Sequence, residues 1–180
     1  MTFADRIVGA MKLDANTFED IERDPTAIGQ AVGVIALAAL SAGIGNLWYG
    51  GISGIFTGTI ASLIGYTLWA VVVWLVGTKL MPDPATKADF AETFRVIAFA
   101  AAPGILGIIT IIPLFGWLLM FLIWIWSMAA MVIAVRQVLD YTDTFKAVIV
   151  VIIGFVANLI VWGTFALMSV GAAMIGGMPR

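Results

Sequence analysis

The residues best suited to bind a ligand form a charged belt within two polar stretches of the chain. Acidic and basic side chains are interspersed there at Asp89, Glu92, Arg95, Arg136, Asp140, Asp143 and Lys146. Such a belt could bind a protein partner, a lipid headgroup, or a hard cation through its carboxylate oxygens. The alternative is local pairing, since three pairs are spaced i,i+3 or i,i+4: Glu92–Arg95, Arg136–Asp140 and Asp143–Lys146. Exposed pairs of that kind contribute little to stability.

A second candidate lies in the apolar part of the chain, at Pro103, Gly104 and Asn158. Broken helices and polar groups near the bilayer midplane mark transport sites. Proline and glycine are nevertheless common in membrane helices, and a single Asn can serve as an interhelical hydrogen bond. The middle of each apolar run holds no ionisable residue, so the sequence indicates no proton relay and no counter-ion for a charged substrate.

The residue inventory argues against catalysis. The chain has no His and no Cys, which removes the imidazole base, the thiolate nucleophile and the usual transition-metal ligands. No acidic residue lies inside an apolar run, so an intramembrane aspartyl protease is excluded as well. We therefore expect no catalytic residues, no metal site and no cofactor. A net charge of −2 also argues against nucleic acid as a partner.

Composition indicates the elements that must position these residues. The chain is 62 % hydrophobic with a mean hydropathy of +1.09, which is typical of a polytopic membrane protein. Five apolar runs are each long enough to cross a bilayer core of about 30 Å; they cover about 27–47, 52–76, 94–112, 114–135 and 147–170. The prediction is an all-α bundle of five transmembrane helices over 26–175, an interfacial helical segment over 1–25, and a tail over 176–180. The bilayer is its first partner.

The distribution of charge predicts the topology. Nineteen of the 20 charged side chains lie in 1–25, 79–95 and 136–146, and the last is Arg180. Five crossings bring those three stretches to one side, which receives eight of the nine Lys and Arg residues. The positive-inside rule then predicts a multi-pass protein of the cell inner membrane, with its N-terminus in the cytoplasm and its C-terminus outside.

Two further patterns concern packing. Phe3, Ile7, Ala10 and Met11 recur at helical spacing, which indicates a helix that either lies on the membrane surface or packs on the cytoplasmic ends of the bundle. A second short helix is expected to begin at Asn16 or Thr17.

Gly54, Gly58, Ser62 and Gly65 form a small-residue stripe that is expected to face the first span. The same stripe could instead face a second protomer in a homo-oligomer.

Three stretches resemble the YIP-domain family, the Ypt/Rab-interacting membrane proteins, in its short prokaryotic form. The first is 18–27, ahead of a Gly/Ala-rich first span. The second is 94–103, with an aromatic-then-proline pattern. The third comprises 113–117, 124–126 and 145–147. The chain departs from eukaryotic members, because only about 25 residues precede its first span. Of their Asp-Leu-Tyr-Gly-Pro-like motif, only Asp24-Pro25 matches.

The resemblance implies five spans, a cytoplasmic N-terminus and a role in membrane organisation or trafficking through protein partners. The first hypothesis is therefore a non-enzymatic scaffold or adaptor that binds an unidentified protein partner at its cytoplasmic face. The alternative is a small transporter, channel or lipid-handling protein that uses the break at Pro103. The Rab partner of the eukaryotic family does not carry over to a prokaryotic chain.

Overall fold

The computed structural model describes residues 1–45, 47–112 and 115–176, with the backbone alone at 48–50, 54 and 165–176. All regular elements within this part are helical. The α-helices are α1 (Phe3–Met11), α2 (Ala15–Arg23), α3 (Ile28–Gly45), α4 (Leu47–Leu75), α5 (Phe90–Phe99), α6 (Gly116–Val138) and α7 (Thr144–Gly176). Two 3₁₀ segments cover Pro25–Ala27 and Ala102–Ile111, and a π-helical turn covers Val76–Leu80.

Five of the helical segments are long and apolar enough to cross a membrane. They cover Pro25–Gly45, Gly51–Leu80, Phe90–Ile111, Gly116–Val138 and Thr144–Thr164. The predicted fold class, a five-span all-α membrane protein, is confirmed. Within α4 the helix is interrupted at Gly51, whose φ of 59° is a conformation that glycine adopts without strain. The predicted fourth-span start at Leu114, and 177–180 of the predicted tail over 176–180, lie outside the described residues.

The third span changes helix type at its proline, Pro103. The α-helix ends at Phe99, and Pro103 stands at the start of a ten-residue 3₁₀ segment. Proline has no N–H to donate to the carbonyl of Phe99, and its ring clashes with that carbonyl, so the α-helical ladder cannot continue there. Beyond it, the chain stays in the tighter 3₁₀ conformation instead of returning to an α-helix.

This 3₁₀ segment packs closely against α3 through glycines. A Cβ added at Gly107 would lie 3.2 Å from the Ala42 backbone, and one at Gly45 would lie 2.4 Å from the Gly107 carbonyl oxygen. The two backbones are therefore in direct contact, as small residues allow in membrane helices. The central core then extends from this contact toward the charged end of the bundle. Its largest buried side chains include Phe18, Ile21, Ile35, Val73, Ile97, Phe99, Met131 and Val135.

The N-terminal helices pack on the bundle. A capping box between Thr2 and Asp5 begins α1, and α1 approaches α2 so closely that a Cβ at Gly9 would lie 2.1 Å from the Thr17 hydroxyl oxygen. The Phe3 ring meets Phe99 edge to face, with ring centroids 6.3 Å apart. The bundle-packed alternative for this segment therefore describes the structure. The predicted cap at Asn16 or Thr17 was wrong, because the Asp14 side chain caps α2 and accepts the Asn16 N–H.

The small-residue stripe of α4 does not face the first span as predicted. A Cβ added at Gly65 would lie 3.4 Å from the Trp162 indole nitrogen on α7, and one at Gly58 would meet nothing within 4 Å. The close approach between α3 and α4 is made instead by Gly43, where an added Cβ would lie 3.1 Å from the Ile55 backbone.

Candidate functional site

The three charged stretches meet at one end of the bundle, and we call the surface formed by 1–25, 79–95 and 136–146 the polar face. Arg95 reaches the carbonyl oxygens at the end of α2. The Thr86 hydroxyl donates to the Leu139 carbonyl at 2.6 Å, and the buried Tyr141 hydroxyl donates to the Met81 carbonyl at 2.7 Å. The polar face is therefore one connected surface, with contacts between segments that are more than 50 residues apart in sequence.

Arg6 holds the N-terminal helices together. Its guanidinium is only 3 % exposed and donates to Asp20 at 2.9 Å, to Asp24 at 2.7 Å and to the Gln30 side chain at 3.0 Å. Burial alone would lower the pKa of Arg6, but the hydrogen bonds to Asp24 and Asp20 outweigh it and raise that pKa. One side chain on α1 thereby ties α2, the turn that follows it and the first span together.

Asp24 is both a partner of Arg6 and a cap. Its other carboxylate oxygen accepts the backbone N–H of Thr26 at 2.9 Å and the Thr26 hydroxyl at 2.6 Å. These bonds from Thr26, together with the bond from Arg6, lower the pKa of Asp24 to about 2. Asp24 therefore stays ionised at any physiological pH, so its ion pair with Arg6 also persists.

Arg95 was expected to pair with Glu92 and does not. Its guanidinium is 5 % exposed and donates to the backbone carbonyls of Ile21 at 3.3 Å and Glu22 at 2.6 Å. Those carbonyls belong to the last turn of α2, where carbonyl oxygens lack their full set of helical partners; the Ile21 carbonyl also accepts the Asp24 N–H at 3.4 Å. A cation there also interacts favourably with the helix dipole, so Arg95 fastens the end of α2 to the third span.

Asp89 and Glu92 instead form a capping box at the start of α5. The Glu92 backbone N–H donates to Asp89 at 2.7 Å, and the Asp89 backbone N–H donates to the Glu92 carboxylate at 2.8 Å. Both carboxylates are thus used at the helix N-terminus.

The other two predicted local pairs are not formed either. The α6 helix ends at Val138, and Asp140 lies in a turn with a φ of 51°, so Arg136 and Asp140 do not share a helical face. The Arg136 Nε donates to the Tyr141 carbonyl at 3.3 Å instead. Asp143 accepts the backbone N–H of Phe145 at the start of α7.

Lys146 pairs with Asp83, which lies in the loop between the second and third spans. Its ammonium group also donates to the Pro82 carbonyl at 3.1 Å and lies 5.0 Å from the centre of the Tyr141 ring. The hydrogen bond from Lys146 is the main cause that lowers the pKa of Asp83. Sequence spacing could not reveal this pair, because its two members are 63 residues apart.

Carboxylates from α2 and from the turn after α6 surround a cleft on the polar face. The cleft has a volume of about 320 Å³ and is lined by Glu19, Glu22, Arg23, Gln137 and Asp140. Burial is the main cause that raises the pKa of Glu22 to about 7, followed by the charges of Asp140, Glu92 and Glu19. Across the described residues, no group of three acids could hold a metal ion.

The second candidate site is divided between two parts of the bundle. Asn158, on α7, donates to the Gly65 carbonyl at 3.4 Å and accepts the Trp162 indole N–H at 3.1 Å. Pro103 is buried, and a Cβ added at its neighbour Gly104 would lie 3.2 Å from Ala38 on α3. These contacts place Asn158 against α4 and the helix break against α3.

Arg6 and Asp83 are the residues that the sequence analysis missed. Asp20 on α2 and Asp24 at its C-cap are two acids close in sequence, and the nine-residue helix carries Arg23 alone as a base in its last turn. That local excess of negative charge was the available signal that a cation from another element would pack there.

Nearly the whole chain matches one known protein family. The family model of the Yip1 domain matches residues 10–176, which extend from the end of α1 to the end of α7. No curated protein and no solved structure gives a significant match. The match covers all five spans and most of the polar face, and the chain therefore belongs to the Yip1 domain family.

Proposed function

We propose that this protein is a non-enzymatic scaffold or adaptor in membrane organisation or trafficking, and that the polar face is its working surface. The observation that carries the proposal is the way Arg6 and Arg95 fix the N-terminal helices to the bundle. A surface held in one conformation loses little entropy when a partner binds. Membership of a family associated with trafficking supports the same role.

The polar face points into the cytoplasm in this proposal, and the membrane is the inner membrane of a bacterial cell. Eight of the nine Lys and Arg residues lie on the polar face, and the positive-inside rule retains such loops in the cytoplasm. The partner is then a cytoplasmic or membrane-associated protein. The exposed carboxylate of Asp140, beside the half-buried Glu19 and Glu22, favours a partner with a basic surface.

Site-specific photo-crosslinking in intact cells tests this function. A photoreactive residue in place of Asp140, which is exposed on the polar face, should capture one discrete protein species other than the chain itself. The same residue in place of Ser53, at the opposite end of the bundle, is the matched control and should capture none. Equal crosslinking from both positions, or crosslinks to the chain alone, would contradict a docking role for the polar face.

The runner-up function is a small transporter, channel or lipid-handling protein. The observation that favours it is the ten-residue 3₁₀ segment in the third span, since helix breaks at membrane depth accompany transport sites. Against it, the segment is packed on α3 through Gly45, Gly104 and Gly107, and a transport path needs space beside the break. Measurement of solute flux separates the two functions.

A further inference from the structure

A pocket of about 300 Å³ opens between α4 and α7 within the membrane-spanning layer. Ser62, Gly65, Tyr66 and Trp69 line it on α4, and Asn158 and Trp162 line it on α7. Asn158 lies 14 residues beyond Thr144, the first residue of the fifth span. At ~1.5 Å per residue it is roughly 21 Å into a hydrocarbon layer of about 30 Å. A molecule therefore enters this pocket from the lipid.

The pocket carries hydrogen-bonding groups that the described protein does not fully use. Thr57, Thr59 and Thr67 on the same helix donate their hydroxyls to carbonyls one turn earlier. Ser62 and Tyr66 make no such bond to any described residue. The Asn158 amide makes only a long 3.4 Å bond to Gly65 and keeps donor capacity. Polar groups left unpaired in hydrocarbon are costly, so a ligand with acceptor oxygens would be stabilised here.

The side chains that line the pocket indicate the charge and the shape of the ligand. No side chain of the lining is charged at neutral pH, so the ligand is uncharged. Tyr66, Trp69 and Trp162 present aromatic rings, which stack well on a flat ring. The Trp69 indole N–H is buried against Gly154, where an added Cβ would lie 2.3 Å away. Trp69 thus forms a wall of the pocket rather than a donor into it.

We propose that this pocket binds the ring of a membrane-soluble quinone. The carbonyl oxygens of the ring accept hydrogen bonds from the Tyr66 hydroxyl and the Asn158 amide, and its face lies along the aromatic walls. The volume equals that of about ten waters at ~30 Å³ each, which accommodates one substituted six-membered ring. A phospholipid acyl chain fits less well, since its ester oxygens lie at the edges of the hydrocarbon layer. A second copy of the chain would present Phe56, Ile60 and Ile64 of its own α4, which offer no acceptor.

Photolabelling of the full chain tests this site. The protein is reconstituted in phosphatidylcholine vesicles and labelled with an azido-substituted benzoquinone, with an unlabelled decyl-benzoquinone as competitor. We expect saturable labelling within 58–69 and 154–162, lowered at least fivefold by the competitor. Tyr66→Phe and Asn158→Leu should each lower it severalfold. The matched control is Thr67→Val, which removes a hydroxyl of the same helix that bonds to its own backbone.

An occluding variant keeps the test informative if a polar substitution unfolds the protein. Ala61→Phe places a ring at the pocket wall and leaves the hydrogen-bonding groups in place, so it should abolish competed labelling. Labelling that rises linearly with probe, resists the competitor and is equal in all variants would overturn the proposal, because it reports only partition into the bilayer. Saturable labelling elsewhere in the chain would also overturn the proposal. Crosslinking from the polar face would be unchanged in either case.

Discussion

Arg6 is the residue on which the N-terminal helices depend. Arg6→Gln keeps a polar side chain but removes the charge-assisted bonds to Asp20 and Asp24. Such bonds contribute roughly 1.5–3 kcal/mol, and the partial exposure of both acids puts the expected loss at the lower end. Every 1.4 kcal/mol is tenfold, so amide hydrogen exchange in α1 should accelerate by about tenfold or more. The control is Lys12→Gln, an exposed change just beyond α1; equal exchange rates in the two variants would contradict the assigned role.

Glu22 gives the polar face a dependence on pH. Its pKa is raised from 4.5 to about 7 in the folded protein, chiefly by burial, so the folded state binds its proton more tightly than the unfolded state. The stabilisation from that proton is complete below about pH 4.5 and is lost as the pH rises through 7.

Glu22→Gln should therefore flatten the pH dependence of stability between 4.5 and 7, as measured by thermal unfolding in detergent. It should also raise stability above pH 7. Asp143→Asn is the control, because it changes an exposed acid outside the cleft and retains a side-chain acceptor for the Phe145 N–H. A wild-type slope that persists in Glu22→Gln would show that another group titrates.

Sequence spacing predicts local contacts between side chains and misses distant ones. The order Asp89-x-x-Glu92 has the form of a capping box, although local pairing of Glu92 with Arg95 was the contact expected. Glu19 and Arg23, which are i,i+4 within α2, do form an ion pair of the local kind that spacing predicts. The partners of Arg6, Arg95 and Lys146 lie 14 to 74 residues away, and only the packing of helices brings them together.

The contact between α3 and the 3₁₀ segment is one of the close approaches between two elements of the bundle. Gly45→Ala would place a methyl group 2.4 Å from the Gly107 carbonyl oxygen, and the backbone on that side cannot simply rotate away. We expect a loss of about 1–3 kcal/mol, the usual cost of overpacking. Thermal unfolding in detergent measures it.

Gly29→Ala is the matched control in the same helix, since an added Cβ there meets nothing within 4 Å. It should be neutral or stabilising by up to about 1 kcal/mol, because alanine is the better helix former. If the two variants unfold at the same temperature, the close approach of α3 and the 3₁₀ segment is wrong.

Among the elements, hydropathy predicted the existence of the five spans but not their internal form. A run such as 102–111 is as apolar in a 3₁₀ helix as in an α-helix, so composition cannot distinguish them. The proline signalled a break at Pro103, and the glycines at 104 and 107 allow the close packing on α3 that accompanies the 3₁₀ conformation. The sequence also did not predict which face of α4 meets α7, because small residues occur on several sides of α4.

The alternation of charged and apolar stretches along the chain predicted that three segments share one end of the bundle, and their contacts show that they do.

Single cysteines test which side of the membrane that end faces. One replaces Lys87, in the polar face, and the other replaces Ser53, at the opposite end; both positions are exposed. A membrane-impermeant thiol reagent added to intact cells should label position 53, and position 87 only after permeabilisation. The reverse pattern would place the polar face outside.

In the proposed function, the protein works at its polar face and does not conduct solutes. Ions and polar molecules cross a bilayer only along groups that replace their hydration. The described spans offer Asn158, Gln30 and scattered hydroxyls, several of which are bonded to their own helix. Purified protein in liposomes, at a measured oligomeric state, should therefore show no ion or small-solute flux above that of empty vesicles. Robust flux that disappears in folded Asn158→Leu would contradict the scaffold and establish a conduit.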